Sequence, residues 1–131
     1  MMPVNVLAVI AAAASSFLLG GLWYSRVLFG EVWTREAGAS TNKERHRAVV
    51  FVVSWICWLI AAWLFAIWLP RGWILARATT AGFLVGLVFV AGSFGVNYAF
   101  GGRSFRLWLI DAGYHTLQFT LYGLIIGAWR A

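Results

Sequence analysis

The sequence predicts an all-α, polytopic membrane protein: a bundle of four transmembrane helices with a short interfacial amphipathic segment after the first. Three observations predict it. The 131 residues are 63% hydrophobic and 11% charged, which is more apolar surface than a soluble core of this size can hide. Four runs, at about 3–24, 48–69, 74–98 and 106–129, reach the roughly 20 residues that a helix needs to cross the hydrocarbon layer. The runs also lack the strict alternation and the roughly ten-residue length of barrel strands, so helices must satisfy their backbone groups in lipid. Nothing remains for a soluble domain, and residues 1–131 form one unit.

The net charge of +6 would suggest nucleic acid in a soluble protein. Here the Arg and Lys residues stand between or beside the runs, where they set topology and meet phosphate headgroups, so no nucleic-acid partner is expected. Cys57 lies mid-run and reads as a small apolar filler.

The first run resembles a secretory leader at Ala11–Ser15 but has no positive start. It closes on Gly20, Gly21, Trp23 and Tyr24, an aromatic interface anchor, so a retained helix is expected. After it, Val27, Leu28, Val32 and Trp33 mark the interfacial amphipathic turn, with Glu31 and Arg35 spaced for an i,i+4 pair. Thr41 and Glu44 have capping-box spacing, Ser40 is an alternative cap, and His46 follows as a solvated interfacial residue. In the second run Phe51, Trp55, Trp58 and Phe65 share a stripe; aromatics so spaced pack between helices or face lipid, and no cofactor is expected. Pro70, Arg71, Gly72 and Trp73 form a tight turn. The third run carries Ala78, Gly82 and Gly86, then Ser93 and Asn97, and the fourth repeats the small-residue spacing at Gly123 and Gly127. These glycines are expected to pack helix on helix, within the chain or between copies.

Arg26, Arg35, Lys43, Arg45, Arg47, Arg103 and Arg106 fall on one side of the four-run topology, and Arg71, Arg77 and Arg130 on the other. Seven against three predicts both termini outside.

The candidate site is the only place where ionisable side chains stand well inside an apolar run rather than at its end, as Arg77 and Arg106 do. Asp111 and His115 lie one helical turn apart, and Gln118 and Tyr122 continue their face. A charge at membrane depth costs about 2.5–3.5 kcal/mol on insertion scales, so such a group faces a protein interior or a water-filled cavity. A tight turn centred near Ser104 would put Asn97 level with Asp111, Ser93 with His115 and Gly86 with Tyr122. At about 1.5 Å per residue, Asp111 would then lie near the cytoplasmic interface and His115 near mid-membrane. Carboxylate, amide and imidazole so placed can relay protons or bind a polar solute, or can form a purely structural network.

From Asn97 to His115 the chain holds N-Y and then R-S-F-R-L-W-L-I-D-A-G-Y-H, and near its start G-G-L-W-Y-S followed by L-F-G-E-V-W. These motifs resemble the DUF1761 family, which implies a small bacterial four-span membrane protein of unknown function, hence the bacterial cytoplasmic membrane. The resemblance covers about 8–33 and 97–129. It marks Trp23, Tyr24, Asn97, Asp111, Gly113, Tyr114 and His115 as motif positions without assigned roles. Arg26 stands where the family often has proline.

Two functions from different classes fit. One is a homo-oligomeric transporter or permeation unit, a dimer for choice, in which Asp111 and His115 change protonation. The other is a non-catalytic accessory subunit packing into a larger membrane complex. An enzyme ranks third. A catalytic metal wants three protein ligands, and Glu31, Glu36 and Glu44 all lie in the first connection, so no metal site is expected.

Overall fold

The computed structural model describes residues 4–38 and 47–130, and every regular element among them is helical. In chain order these are α1 (Val6–Trp23), α2 (Gly30–Ala37), α3 (Arg47–Trp68), α4 (Leu75–Phe100) and α5 (Phe105–Arg130). Three of them, α1, α3 and α4, are long and apolar enough to cross a membrane, which makes the chain a membrane protein. α5 matches α4 in length at 26 residues but is not among the three. Its stripe of Asp111, His115, Gln118 and Tyr122 lowers its hydropathy. The cap expected at Ser40 or Thr41–Glu44 and the interfacial His46 lie outside the described residues.

Asn5 starts α1 by accepting the Ala8 amide on its side chain at 3.2 Å, which satisfies one of the first-turn donors that a helix leaves unpaired. Small residues Ala8, Ala12 and Ser16 recur every fourth position and are buried. At its other end α1 reverses tightly: the Phe29 amide donates to the Trp23 carbonyl at 3.0 Å and the Gly30 amide to the Ser25 carbonyl at 2.9 Å. A Cβ on Gly30 would stand 2.3 Å from the Tyr24 carbonyl oxygen, so only glycine lets α2 start this close to the end of α1. Of the expected amphipathic segment, Val32 and Trp33 fall in this eight-residue helix, whereas Val27 and Leu28 lie in the turn before it.

α5 is the central element, packed along α4 and α1 and touched by α2 and α3. The α4–α5 contact is built on the four predicted glycines, within one chain. A Cβ on Gly82 would lie 2.0 Å from the Phe119 carbonyl oxygen, one on Gly123 2.2 Å from that of Ala78, and one on Gly86 2.7 Å from that of His115. Gly127 meets the Ala78 methyl. Backbone-on-backbone approach is what small residues allow in lipid, where no hydrophobic force drives helices together.

The turn between these helices is centred on Gly101 and Gly102 rather than Ser104. Arg103 donates its amide to the Tyr98 carbonyl and Gly102 to that of Ala99, with Gly102 at φ 65°, a Schellman closure that needs a left-handed residue. Ser104 instead caps α5, its hydroxyl accepting the Leu107 amide at 3.1 Å. Gly86 consequently faces His115 and Thr116 rather than Tyr122.

α4 is interrupted by a single π-helical stretch, Val85–Val90. One residue is inserted without breaking the helix, so the inward face after it shifts by one position. Ala91 is buried and Phe94, Gly95 and Tyr98 face the bundle, while Ser93 and Asn97 are exposed. The equal-depth pairing of Ser93 and Asn97 with His115 and Asp111 assumed an unbroken helical period, and the π turn rotates both away.

The apolar core lies at the end of the bundle remote from this turn. Ala8, Ala12, Ala62, Phe65, Ala66, Ala78, Tyr122 and Ile126 pack there. Arg130 locks the same end: its guanidinium donates to the carbonyls of Ala66 and Leu69, the latter at 2.7 Å. This fork neutralises the exposed acceptors and negative dipole at the end of α3. The aromatic stripe of α3 packs as expected, with Phe17 of α1 stacked on Trp55 at 5.8 Å and edge-on to Phe51 and Trp58. Outward side chains are long aliphatics such as Val52, 58% exposed, and Val88, 56% exposed, a surface suited to hydrocarbon rather than water.

Candidate functional site

Asp111 sits in the second turn of α5 and is buried. Three other elements reach it. Tyr24, the residue that ends α1, donates its hydroxyl to Oδ1 at 2.6 Å; Trp33 of α2 donates its indole N–H to Oδ1 at 3.1 Å; and Tyr98 of α4 donates its hydroxyl to Oδ2 at 2.5 Å. Both oxygens therefore act as acceptors, the state of an ionised carboxylate. The two tyrosine bonds have the short lengths of charge-assisted hydrogen bonds. All three donors are neutral, so the charge is held by hydrogen bonds from three directions.

Aromatic rings wall this carboxylate. The Tyr24 and Trp33 rings meet edge to face at 5.8 Å, and Tyr24 lies 5.5 Å from Tyr114. Trp23 donates its indole N–H to the Ile110 carbonyl at 2.9 Å. Its ring lies where a side chain at Gly113 would project, 2.9 Å from the position of a Cβ there. The motif residues thus acquire distinct physical roles. Trp23 and Gly113 are a ring and its seat, Tyr24 is a ligand of the carboxylate, and Tyr114 closes the wall while its hydroxyl donates to the Ser16 carbonyl at 2.9 Å.

One turn deeper, His115 stacks on Phe94 at 4.8 Å and bonds through Nδ1 to the Gln118 carbonyl oxygen at 2.7 Å. An amide oxygen only accepts, so Nδ1 carries a proton, and whenever the ring is neutral Nε2 is its basic nitrogen. Gln118 in turn donates its amide nitrogen to the Tyr122 hydroxyl at 2.9 Å, and Tyr122 shares a 2.7 Å hydrogen bond with Ser16 of α1. Gln118, Tyr122 and Ser16 are all buried. His115, Gln118, Tyr122 and Ser16 form one continuous file. Asp111 lies a helical turn from His115 and belongs to a separate cage.

Four of the expected residues, Asp111, His115, Gln118 and Tyr122, therefore line the inward face of α5 as their spacing implied. Ser93 and Asn97 do not join them. Ser93 turns its hydroxyl back to the Phe89 carbonyl at 2.6 Å, and both side chains are exposed on α4. The residues that take their place, Tyr98 and Phe94, each stand one position along, and Trp33 and Ser16 were not singled out for this site. Trp33 had a signal: an indole on the inner face of an amphipathic segment needs a partner for its N–H once buried. Ser16, in an alanine run, carried none. Among the described residues no group of three or more His, Cys, Asp or Glu side chains gathers to hold a metal ion.

A family model described as a protein of unknown function (DUF1761) matches residues 7–127. No curated protein and no solved structure matches the chain.

Proposed function

The chain belongs to the DUF1761 family, and from that premise and the geometry of its buried carboxylate we propose a four-span protein of the bacterial cytoplasmic membrane that acts as a small transporter or permeation unit, two copies working together. α5 is the fourth span. Its 26 residues extend about 39 Å, beyond the roughly 30 Å of the hydrocarbon layer, and its polar stripe turns inward, where an ionisable group is tolerated. The seven-to-three distribution of Arg and Lys supports both termini outside.

The observation that carries the reading is the three-donor cage of Asp111. An anion held by neutral donors is stabilised without being neutralised, and its two oxygens remain open to a proton carried in from either side. A protonated carboxyl donates from one oxygen, and the tyrosine hydroxyl bonded there turns its own proton away and accepts, so protonation reverses one bond of the cage. Tyr24 and Tyr98 belong to different helices, so protonation exchanges charge-assisted bonds for weaker neutral ones and weakens the hold of α1 and α4 on α5. Protonation and helix packing become one two-state equilibrium. His115 stands next in line with Nε2 as its basic nitrogen. Beyond it the file does not conduct, because the Gln118 amide cannot hand on a proton without becoming an imidic acid; it fixes the imidazole in place.

The test is proton flux in proteoliposomes, read by an entrapped pH dye under an imposed pH gradient. Flux should fall at least tenfold in Asp111→Asn with the fold retained, and wild-type flux in that variant would overturn the reading. The second reading, an accessory subunit, draws on one observation: the first half of α3 points large apolar side chains such as Val49 and Val53 outward. It predicts flux at the level of empty liposomes for both proteins.

A further inference from the structure

At the corner where α1 turns into α2 lies an open cavity of about 550 Å³ lined by Tyr24, Arg26, Gly30, Glu31, Thr34 and Arg35. The backbone fixes its shape, since Gly30 is pressed against the Tyr24 carbonyl and cannot give way. Two guanidinium groups and one carboxylate line it. Among the described residues none of the three makes an ion pair or a side-chain hydrogen bond, and the i,i+4 pair expected between Glu31 and Arg35 is not formed. Beside the cavity, Val27 is 83% exposed and Leu28 41%. Bare aliphatics flanking paired arginines suit the boundary between acyl chains and headgroups, where an amphipathic helix lies with its apolar side in lipid.

We propose that this corner pocket binds a zwitterionic phospholipid headgroup, the phosphodiester on Arg26 and Arg35 and the ammonium on Glu31. Guanidinium forks match phosphate oxygens bidentately. Glu31 gives the pocket a preference: it attracts an ammonium one group away from the phosphate and repels a headgroup carrying only negative charge. The inner wall is Tyr24, whose hydroxyl holds Asp111, so a seated headgroup braces one of the three donors of the carboxylate. The inference rests on membrane placement of the α1–α2 corner and not on proton flux.

Native mass spectrometry of the full chain in detergent, titrated with phosphatidylethanolamine, phosphatidylglycerol or inorganic phosphate, tests it. Wild type should retain phosphatidylethanolamine over phosphatidylglycerol. Arg26→Gln with Arg35→Gln should weaken lipid retention at least about tenfold, as expected for losing charge-assisted bonds. Glu31→Gln should abolish the preference between the two lipids while retention persists, which separates a headgroup site from a general loss of structure. Unchanged retention in the double arginine variant, or an unchanged preference in Glu31→Gln, would overturn the proposal. Inorganic phosphate that displaces the lipid at equal concentration would also overturn it, making the pocket a site for a free phosphate anion.

Discussion

At the scale of single residues, the strength of a hydrogen bond here depends on whether its acceptor is charged. Neutral interhelical bonds in a bilayer average about 0.6 kcal/mol, whereas bonds to a charged group are worth about 1.5–3 kcal/mol. The Tyr98 hydroxyl bonds a carboxylate oxygen and the Ser16 hydroxyl bonds a phenol. Tyr98→Phe should therefore destabilise the protein several times more than Ser16→Ala, measured by reversible unfolding in mixed detergent micelles. Equal losses would mean that Asp111 is not held as an anion. The double variant Tyr24→Phe with Tyr98→Phe should lose more than the sum of the single changes, because the last tyrosine removed leaves the buried charge with Trp33 alone.

At the scale of helices, the glycines divide into those that set helix distance and those that do not. A Cβ on Gly123 would stand 2.2 Å from the Ala78 carbonyl oxygen, whereas one on Gly92 would meet nothing within 4 Å. Gly123→Ala must force α4 and α5 apart and should cost about 3 kcal/mol or more, at the severe end of single substitutions. Gly92→Ala should be neutral or stabilising by up to about 1 kcal/mol, since alanine is the better helix former. Thermal unfolding of the two variants side by side checks this, and similar shifts would show that the glycine face is not the contact. Arg130→Gln should release the last turn of α3, read as faster amide exchange at the end of that helix, because a neutral side chain does not complement the negative helix end.

At the scale of the molecule, the four-span reading makes a labelling prediction. In a Cys57→Ser background, Arg103→Cys and Trp129→Cys stand at opposite ends of α5. Both positions are exposed. A membrane-impermeant thiol reagent applied to intact cells should label only the second; labelling of both from one side would place α5 outside the membrane and leave three spans.

Apolar run lengths determined the helices, because a backbone in lipid has no other way to satisfy its donors and acceptors. The glycine spacing determined which faces of the third and fourth runs meet, and the isolated Asp111 and His115 determined where the polar centre lies. The amphipathic segment after Trp23 and Tyr24 was legible by the same logic. Only the tertiary structure decided which side chains complete that centre. The π turn at Val85–Val90 advances the face of α4 by one residue, so Phe94 and Tyr98 face α5 while Ser93 and Asn97 do not. No proline or charged residue marks it, although Gly86 within it approaches the α5 backbone closely. The glycine-tight corner at Gly30 likewise brings Trp33 to a carboxylate 78 residues away in sequence. Local periodicity reports what one helix buries, and contacts between distant helices depend on small phase shifts that periodicity does not carry.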